Sequence, residues 1–139
     1  MTRRRDARRT AVAILYQADL TGRPPLDVLE ERRSLGEGGA VSGFAEDLVR
    51  GVAEHQEEID VLIGEHAEGW TVPRMAAVDR TLLRVASYEI LFRDDVPAAV
   101  AVDEAVAAAK ELSTEDSGRF VNGVLGRIVQ EGRERAGAG

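Results

Sequence analysis

An all-α fold, two three-helix lobes forming one compact helical bundle domain, is what this 139-residue sequence predicts, and three observations carry it. Apolar residues recur at helical spacing over successive segments. The packing residues are Leu, Val, Ile and Ala, with only three Phe, two Tyr and one Trp among them. Pro and Gly fall in clusters between these segments and punctuate them. A chain of this length buries a sizeable core without disulfides or a structural metal.

The first helix is read over Thr2 to Leu20, with Thr2 as candidate N-cap, Val12, Leu15, Tyr16 and Leu20 near helical spacing, and a basic first half. Thr21-Gly22-Arg23-Pro24-Pro25 ends it, and Pro25 suits the first turn of a second helix, Leu26 to about Ser34. The segment 35–40 is glycine-rich and reads as a flexible loop. Ser42 is placed to cap a third helix, whose apolar stripe of Phe44, Leu48, Val52, Ile59, Leu62 and Ile63 runs to about His66. Gly69-Trp70-Thr71-Val72-Pro73 breaks the period and divides an N-terminal lobe, 1–70, from a C-terminal lobe, 71–139, with Trp70 packed across the junction. A fourth helix, about Arg74 to Arg93, sets Arg80, Arg84 and Ser87 on one narrow stripe among apolar residues, which marks it as central.

Val96-Pro97 precedes an alanine-rich fifth helix, Ala98 to Leu112, whose small side chains permit close approach. Ser113 to Gly118 reads as a turn, and Phe120 to about Arg135 as a sixth helix ending in a frayed Ala-Gly tail. Asn122-Gly123 between valines also fits a hairpin, but both strand stubs would be too short and no other segment offers a sheet to join. In the helical reading Gly123 and Gly126 become close-packing positions.

Absence of cysteine removes disulfides, thiolate metal sites and thiol nucleophiles. The apolar run 11–20 is broken by Gln17 and Asp19 and lacks a cleavage site, and no stretch approaches the roughly 20 residues that span a bilayer, so a cytoplasmic protein without membrane contact is expected. His55 and His66 stand about 16 Å apart along one helix and cannot share a metal, and with Glu54, Glu57 and Glu58 they read as a solvated charged face. No phosphate loop, nucleophile elbow or zinc helix occurs. No catalytic residue, cofactor or metal ligand is therefore assigned, and an enzyme is not expected.

The net charge of −7 conceals a division. Arg3, Arg4, Arg5, Arg8 and Arg9 against Asp6 make residues 1–9 +4, leaving −11 on the rest. On a helix Arg4, Arg5, Arg8 and Arg9 project at i, i+3 and i+4 and can meet successive phosphates of an RNA through bidentate contacts. A basic tail without a ligand is the alternative. Tyr16, two turns beyond Arg9, can stack an unpaired base or serve the core.

Four blocks of the sequence resemble the NusB family of antitermination factors over nearly the whole length. They are Arg3-Arg-Arg-Asp-Ala-Arg-Arg with Ala13-Ile-Leu-Tyr16, Val78 to Leu91, Val96-Pro97 with Val102-Asp-Glu-Ala-Val and Ala109-Lys110, and Ser117-Gly-Arg-Phe-Val-Asn-Gly-Val-Leu125. The resemblance implies a non-catalytic adapter that binds the boxA RNA of ribosomal leaders together with the ribosomal protein NusE, within the RNA polymerase antitermination complex. It further implies phosphate contacts at Arg4, Arg5, Arg8 and Arg9, base contacts at Tyr16 and Phe120, and Asp79 and Asp116 near the RNA. The chain departs from the family pattern at Asp6 and Asp103. A homodimer that hides the RNA face is the alternative that the acidic body and wide apolar stripes suggest.

Overall fold

A computed structural model describes residues 3–36 and 40–138, with backbone alone for 133–138. Thr2, residues 37–39 of the glycine-rich loop and the final glycine lie outside the described residues. Among the described residues six α-helices follow in order: α1 Arg3–Thr21, α2 Pro25–Arg33, α3 Gly43–His66, α4 Ala77–Phe92, α5 Ala98–Leu112 and α6 Glu115–Ala138. A 3-10 turn, Val72–Arg74, precedes α4, and no strand occurs among the described residues. The chain divides into two compact units, residues 1–56 and 57–139, so the division falls inside α3, ahead of the break in the chain at 69–73.

In the first unit α1 buries Ala7, Ala11, Ile14, Leu15 and Ala18, α2 buries Val28 and Leu29, and the start of α3 buries Ala45, Leu48, Val49 and Val52. Arg3, Arg4 and Arg5 of α1 are exposed. The helix stops where Gly22 takes φ +69° and the Arg23 N–H reaches the Ala18 carbonyl at 3.1 Å, a closure that glycine permits without steric cost. Pro25 opens α2, as its fixed φ favours. Ser42 caps α3, its Oγ accepting from the Ala45 N–H at 3.2 Å. The Glu46 carboxylate joins Arg33 of α2 and, at 2.6 Å, Arg50 one turn along α3.

The second unit holds the remainder of α3, the 3-10 turn and α4, α5 and α6, which pack on one another. Every residue of α4 from Thr81 to Glu89 is buried, so the middle of this helix is covered on all sides, while Leu91 and Phe92 at its end are exposed. The three polar residues read as one stripe have separate fates. Arg84 makes a two-pronged ion pair with Asp60 of α3, Nε to Oδ1 at 2.8 Å and Nη2 to Oδ2 at 2.9 Å. Arg80 donates to the Met75 and Pro73 carbonyls, and Ser87 is enclosed with no partner for its Oγ among the described residues.

Two boundaries differ from expectation. The fourth helix starts three residues after Arg74, because Met75 and Ala76 are extended, with ψ of 153° and 138°. Their place is held by Arg80 reaching back across the turn. The sixth helix starts at Glu115, because Thr114 is an N-cap: its Oγ1 accepts from the Ser117 N–H at 3.0 Å and its carbonyl from the Gly118 N–H at 3.1 Å. Residues read as a turn are thus the first turn of α6, whose helical backbone also continues to Ala138.

The glycine reading needs correction as well. A Cβ at Gly126 would meet nothing within 4 Å, and one at Gly123 only the Arg127 guanidinium at 3.5 Å. Val121, Val124, Leu125 and Ile128 fill the inner face of α6, which leaves both glycines off it. The close position is Gly118, where a Cβ would lie 2.7 Å from Lys110 Cγ of α5. His66 departs from the solvated-face reading too, with its side chain 13% exposed. Its Nδ1 lies 2.8 Å from the Leu62 carbonyl and its Nε2 3.3 Å from Glu131, while Arg127 Nε donates to the His66 carbonyl at 2.8 Å. The last carbonyl of α3 is thereby satisfied from α6.

Candidate functional site

All five arginines of the basic segment stand on the continuous helix α1, Arg3, Arg4 and Arg5 exposed and Arg8 and Arg9 half-buried. Ala7 among them and Ala11 just beyond them are buried. The guanidinium of Arg4 lies over the ring of Phe44 at 4.4 Å from its centroid, and that of Arg8 over the same ring at 5.3 Å. Phe44, on the first turn of α3, had been read from its spacing only as part of the apolar stripe. Its half-exposed ring is instead a shared platform for two of the arginines. Tyr16 is half-buried farther along α1.

In the second unit Asp79, Asp116 and Phe120 come together around one cavity of about 310 Å³, which Trp70, Arg74, Met75 and Ser117 also line. That is near the lower end of pockets that hold small organic groups, about 300–1,000 Å³. Trp70 meets Phe120 edge to face, centroids 6.2 Å apart and planes at 67°, and remains 50% exposed. An aromatic pair with one open face offers a stacking surface for a flat ring. Phe120 and Asp116 reach the cavity because Thr114 starts α6 early, and Asp116 is exposed and paired with Arg119. Trp70 was not among the residues that the sequence assigned to a site. Its position before a helix-breaking Pro was the only local signal.

Asp79 is the unusual group of the set, a carboxylate on the first turn of α4 that is 8% exposed. Its Oδ2 accepts from Ser117 Oγ at 3.3 Å, and Ser117 in turn joins Ser113 Oγ at 2.9 Å. Oδ1 has no hydrogen-bond partner among the described residues. Burial pushes the carboxyl above its ordinary range, and the Ser117 bond opposes this only in part. The folded chain therefore holds the Asp79 proton more tightly than the unfolded one, so this group costs stability as pH rises above the usual Asp value of about 3.9.

Asp79→Asn is expected to remove that cost. The stability difference between variant and wild type, followed by thermal melts from pH 3 to pH 7, should shift toward the variant as pH rises. Glu46, held low by Arg33 and Arg50, and Glu31, held low by Arg23, act with the opposite sign in both proteins and cancel from the difference. A difference that stayed constant with pH would show Asp79 to titrate normally.

Comparison with known proteins follows the same lines. A family profile described as the NusB family matches residues 5–130. The transcription antitermination protein NusB of Saccharopolyspora erythraea is 52% identical over 130 residues, covering 93% of this chain and 88% of its own. That of Salinispora arenicola is 48% identical over 133 residues, with 94% and 97% covered. Among solved structures, NusB of T. maritima superposes with a TM-score of 0.82 at 38% identity, covering 94% of this chain and 93% of its own. A structure described as the antitermination factors NusB and NusE in complex with double-stranded RNA superposes at 0.81 and 32% identity, covering 94% and 99%.

Proposed function

This chain belongs to the NusB family, and from that premise we propose that it is a non-catalytic RNA-binding adapter of transcription antitermination, which takes the boxA RNA of ribosomal leaders jointly with NusE and delivers both to the RNA polymerase complex. The observation that carries the reading is the run of five arginines at the start of one helix of a chain whose remaining residues are strongly acidic. Such a distribution draws a polyanion to one place and repels it elsewhere. The partner follows from the relatives: a similar structure holds NusB with NusE and RNA.

In this reading Arg3, Arg4, Arg5, Arg8 and Arg9 contact phosphates, Tyr16 and Phe120 contact bases, and Trp70 adds a stacking surface beside Phe120. Asp79 and Asp116 would repel a phosphate, so they serve donors on base or sugar edges. No bond is made or broken in this role. No helix among the described residues is long and apolar enough to cross a membrane.

Fluorescence anisotropy with single-stranded boxA RNA, a scrambled strand and a duplex, each with and without NusE, tests ligand, partner and specificity together. The single-stranded boxA sample with NusE should bind most tightly. Trp70 is the only tryptophan of the chain, so its emission should change in the same titration. Equal affinity for boxA and scrambled RNA in the presence of NusE would defeat the reading.

A further inference from the structure

We propose that the cavity of the second unit takes one whole nucleotide of the bound strand, its ring on Trp70 and its phosphate on Arg74; this rests on the RNA-binding reading above. The difficulty that Arg74 resolves is electrostatic. A base cannot reach the Trp70 and Phe120 rings without bringing the phosphates of its own backbone, and the carboxylates that line the same cavity, Asp79 and Asp116, oppose them. Arg74 is the cation among the described lining residues. Asp116 is offset by its ion pair with Arg119, and burial disfavours the charge on Asp79. With both carboxylates weakened in this way, Arg74 sets the sign that an incoming phosphate meets.

Arg74 is also placed as an anchor needs to be. It ends the 3-10 turn Val72–Arg74, and the main chain is fixed on both sides of it. Val72 and Met75 are buried, and a single Arg80 nitrogen, Nη1, donates to the Pro73 carbonyl at 3.3 Å and to the Met75 carbonyl at 2.8 Å. Arg74 itself is exposed, and its guanidinium has no hydrogen-bond or ion-pair partner among the described residues. An arginine with a fixed root and free donors meets a phosphate with two N–H groups at once. Trp70, four residues earlier and 50% exposed, supplies the flat surface. Every base has a flat face, so this ring contact does not depend on which base enters.

Substitution at Arg74 separates the contact from the arginines of α1. Arg74→Gln should weaken binding of single-stranded boxA RNA about tenfold near physiological salt, the lower end for a hydrogen bond to a charged group. It should also make the slope of log affinity against log salt shallower by about 0.7. Arg74→Lys keeps the charge and should keep the wild-type slope. Arg50→Gln removes an exposed cation of the first unit and should change neither quantity. An equal loss of slope in Arg50→Gln would reduce the Arg74 effect to one of net charge, and overturn the assignment.

The strand supplies the matching arm. Exchange of each phosphate in turn for an uncharged methylphosphonate should find one position that costs wild type about tenfold and costs Arg74→Gln nothing further, because the two changes remove the same contact. An abasic site at a nucleotide bearing that phosphate should abolish the change in Trp70 emission that intact RNA produces. No coupled position, or a coupled position whose neighbouring bases leave Trp70 emission unaltered when removed, would overturn the proposal while leaving RNA binding intact. Failure of wild type to bind RNA at all would instead remove the reading on which the nucleotide site rests.

Discussion

Arg8→Ala combined with Arg9→Ala is expected to weaken single-stranded RNA binding by at least about tenfold near physiological salt, since a hydrogen bond to a charged group contributes on the order of 1.5–3 kcal/mol. It should also reduce the slope of log affinity against log salt by about 1.4, or about 0.7 for each phosphate contact removed. The second number is the stricter test. A misfolded variant loses affinity in any buffer, but only a variant that releases fewer counterions changes the slope. These two arginines are chosen because α1 holds them half-buried, whereas Arg3, Arg4 and Arg5 are exposed. Their side chains are therefore nearer to one conformation before RNA arrives. Arg8 also lies over the Phe44 ring, so thermal melts of the variant are compared with wild type alongside binding. An unchanged slope, measured from about 50 to 200 mM salt, would remove α1 as the place where phosphates bind.

What could be read from the chain before its structure was known follows from how local each determinant is. The limits of α1, α2, α3 and α5 are set by residues at the limits themselves: Gly22 in a left-handed turn, Pro25 at a helix start, Ser42 as a cap, and Pro97 just ahead of Ala98. The starts of α4 and α6 depend on which of several plausible bonds forms. Arg80 selects the extended Met75-Ala76 link by reaching five residues back, and Thr114 rather than Ser113 caps α6. A string such as Ser113-Thr-Glu-Asp-Ser-Gly satisfies a turn and a cap equally well, so its composition does not decide between them.

The site divides in the same way. Five arginines within seven residues announce themselves without any fold, because charge density is a property of the sequence. Phe44 and Trp70 do not, since an aromatic residue at helical spacing usually means core. The role of Phe44 depends on where α1 sits against α3, and that of Trp70 on the early start of α6. Gly123 and Gly126 drew attention as small residues, yet their packing depends on register, and the register of α6 turns Val124 and Leu125 inward instead.

Asp60→Ala is expected to be the most damaging exchange of a single polar side chain in the second unit, for a reason that lies in Arg84. The Arg84 side chain is 10% exposed, and its Nε and Nη2 each donate to one oxygen of the Asp60 carboxylate. Without Asp60 the guanidinium stays charged, because arginine does not lose its proton in proteins. Its surroundings in α4 are buried from Thr81 to Glu89 and offer it little access to water. Breaking one side of a buried pair costs about 3–5 kcal/mol, and because Asp60 is itself 27% exposed, water entering at its end favours the lower figure, about 3 kcal/mol. Removing both charges is another matter. Asp60→Leu with Arg84→Met replaces the pair by apolar groups of similar reach, and should lie within about 1 kcal/mol of wild type, since desolvation of the ions is no longer required. Urea denaturation of the single and double variants measures both. If the double variant were as unstable as Asp60→Ala, the cost would come from lost packing between α3 and α4, not from a stranded charge. The pair would then be essential for its shape and not for its electrostatics.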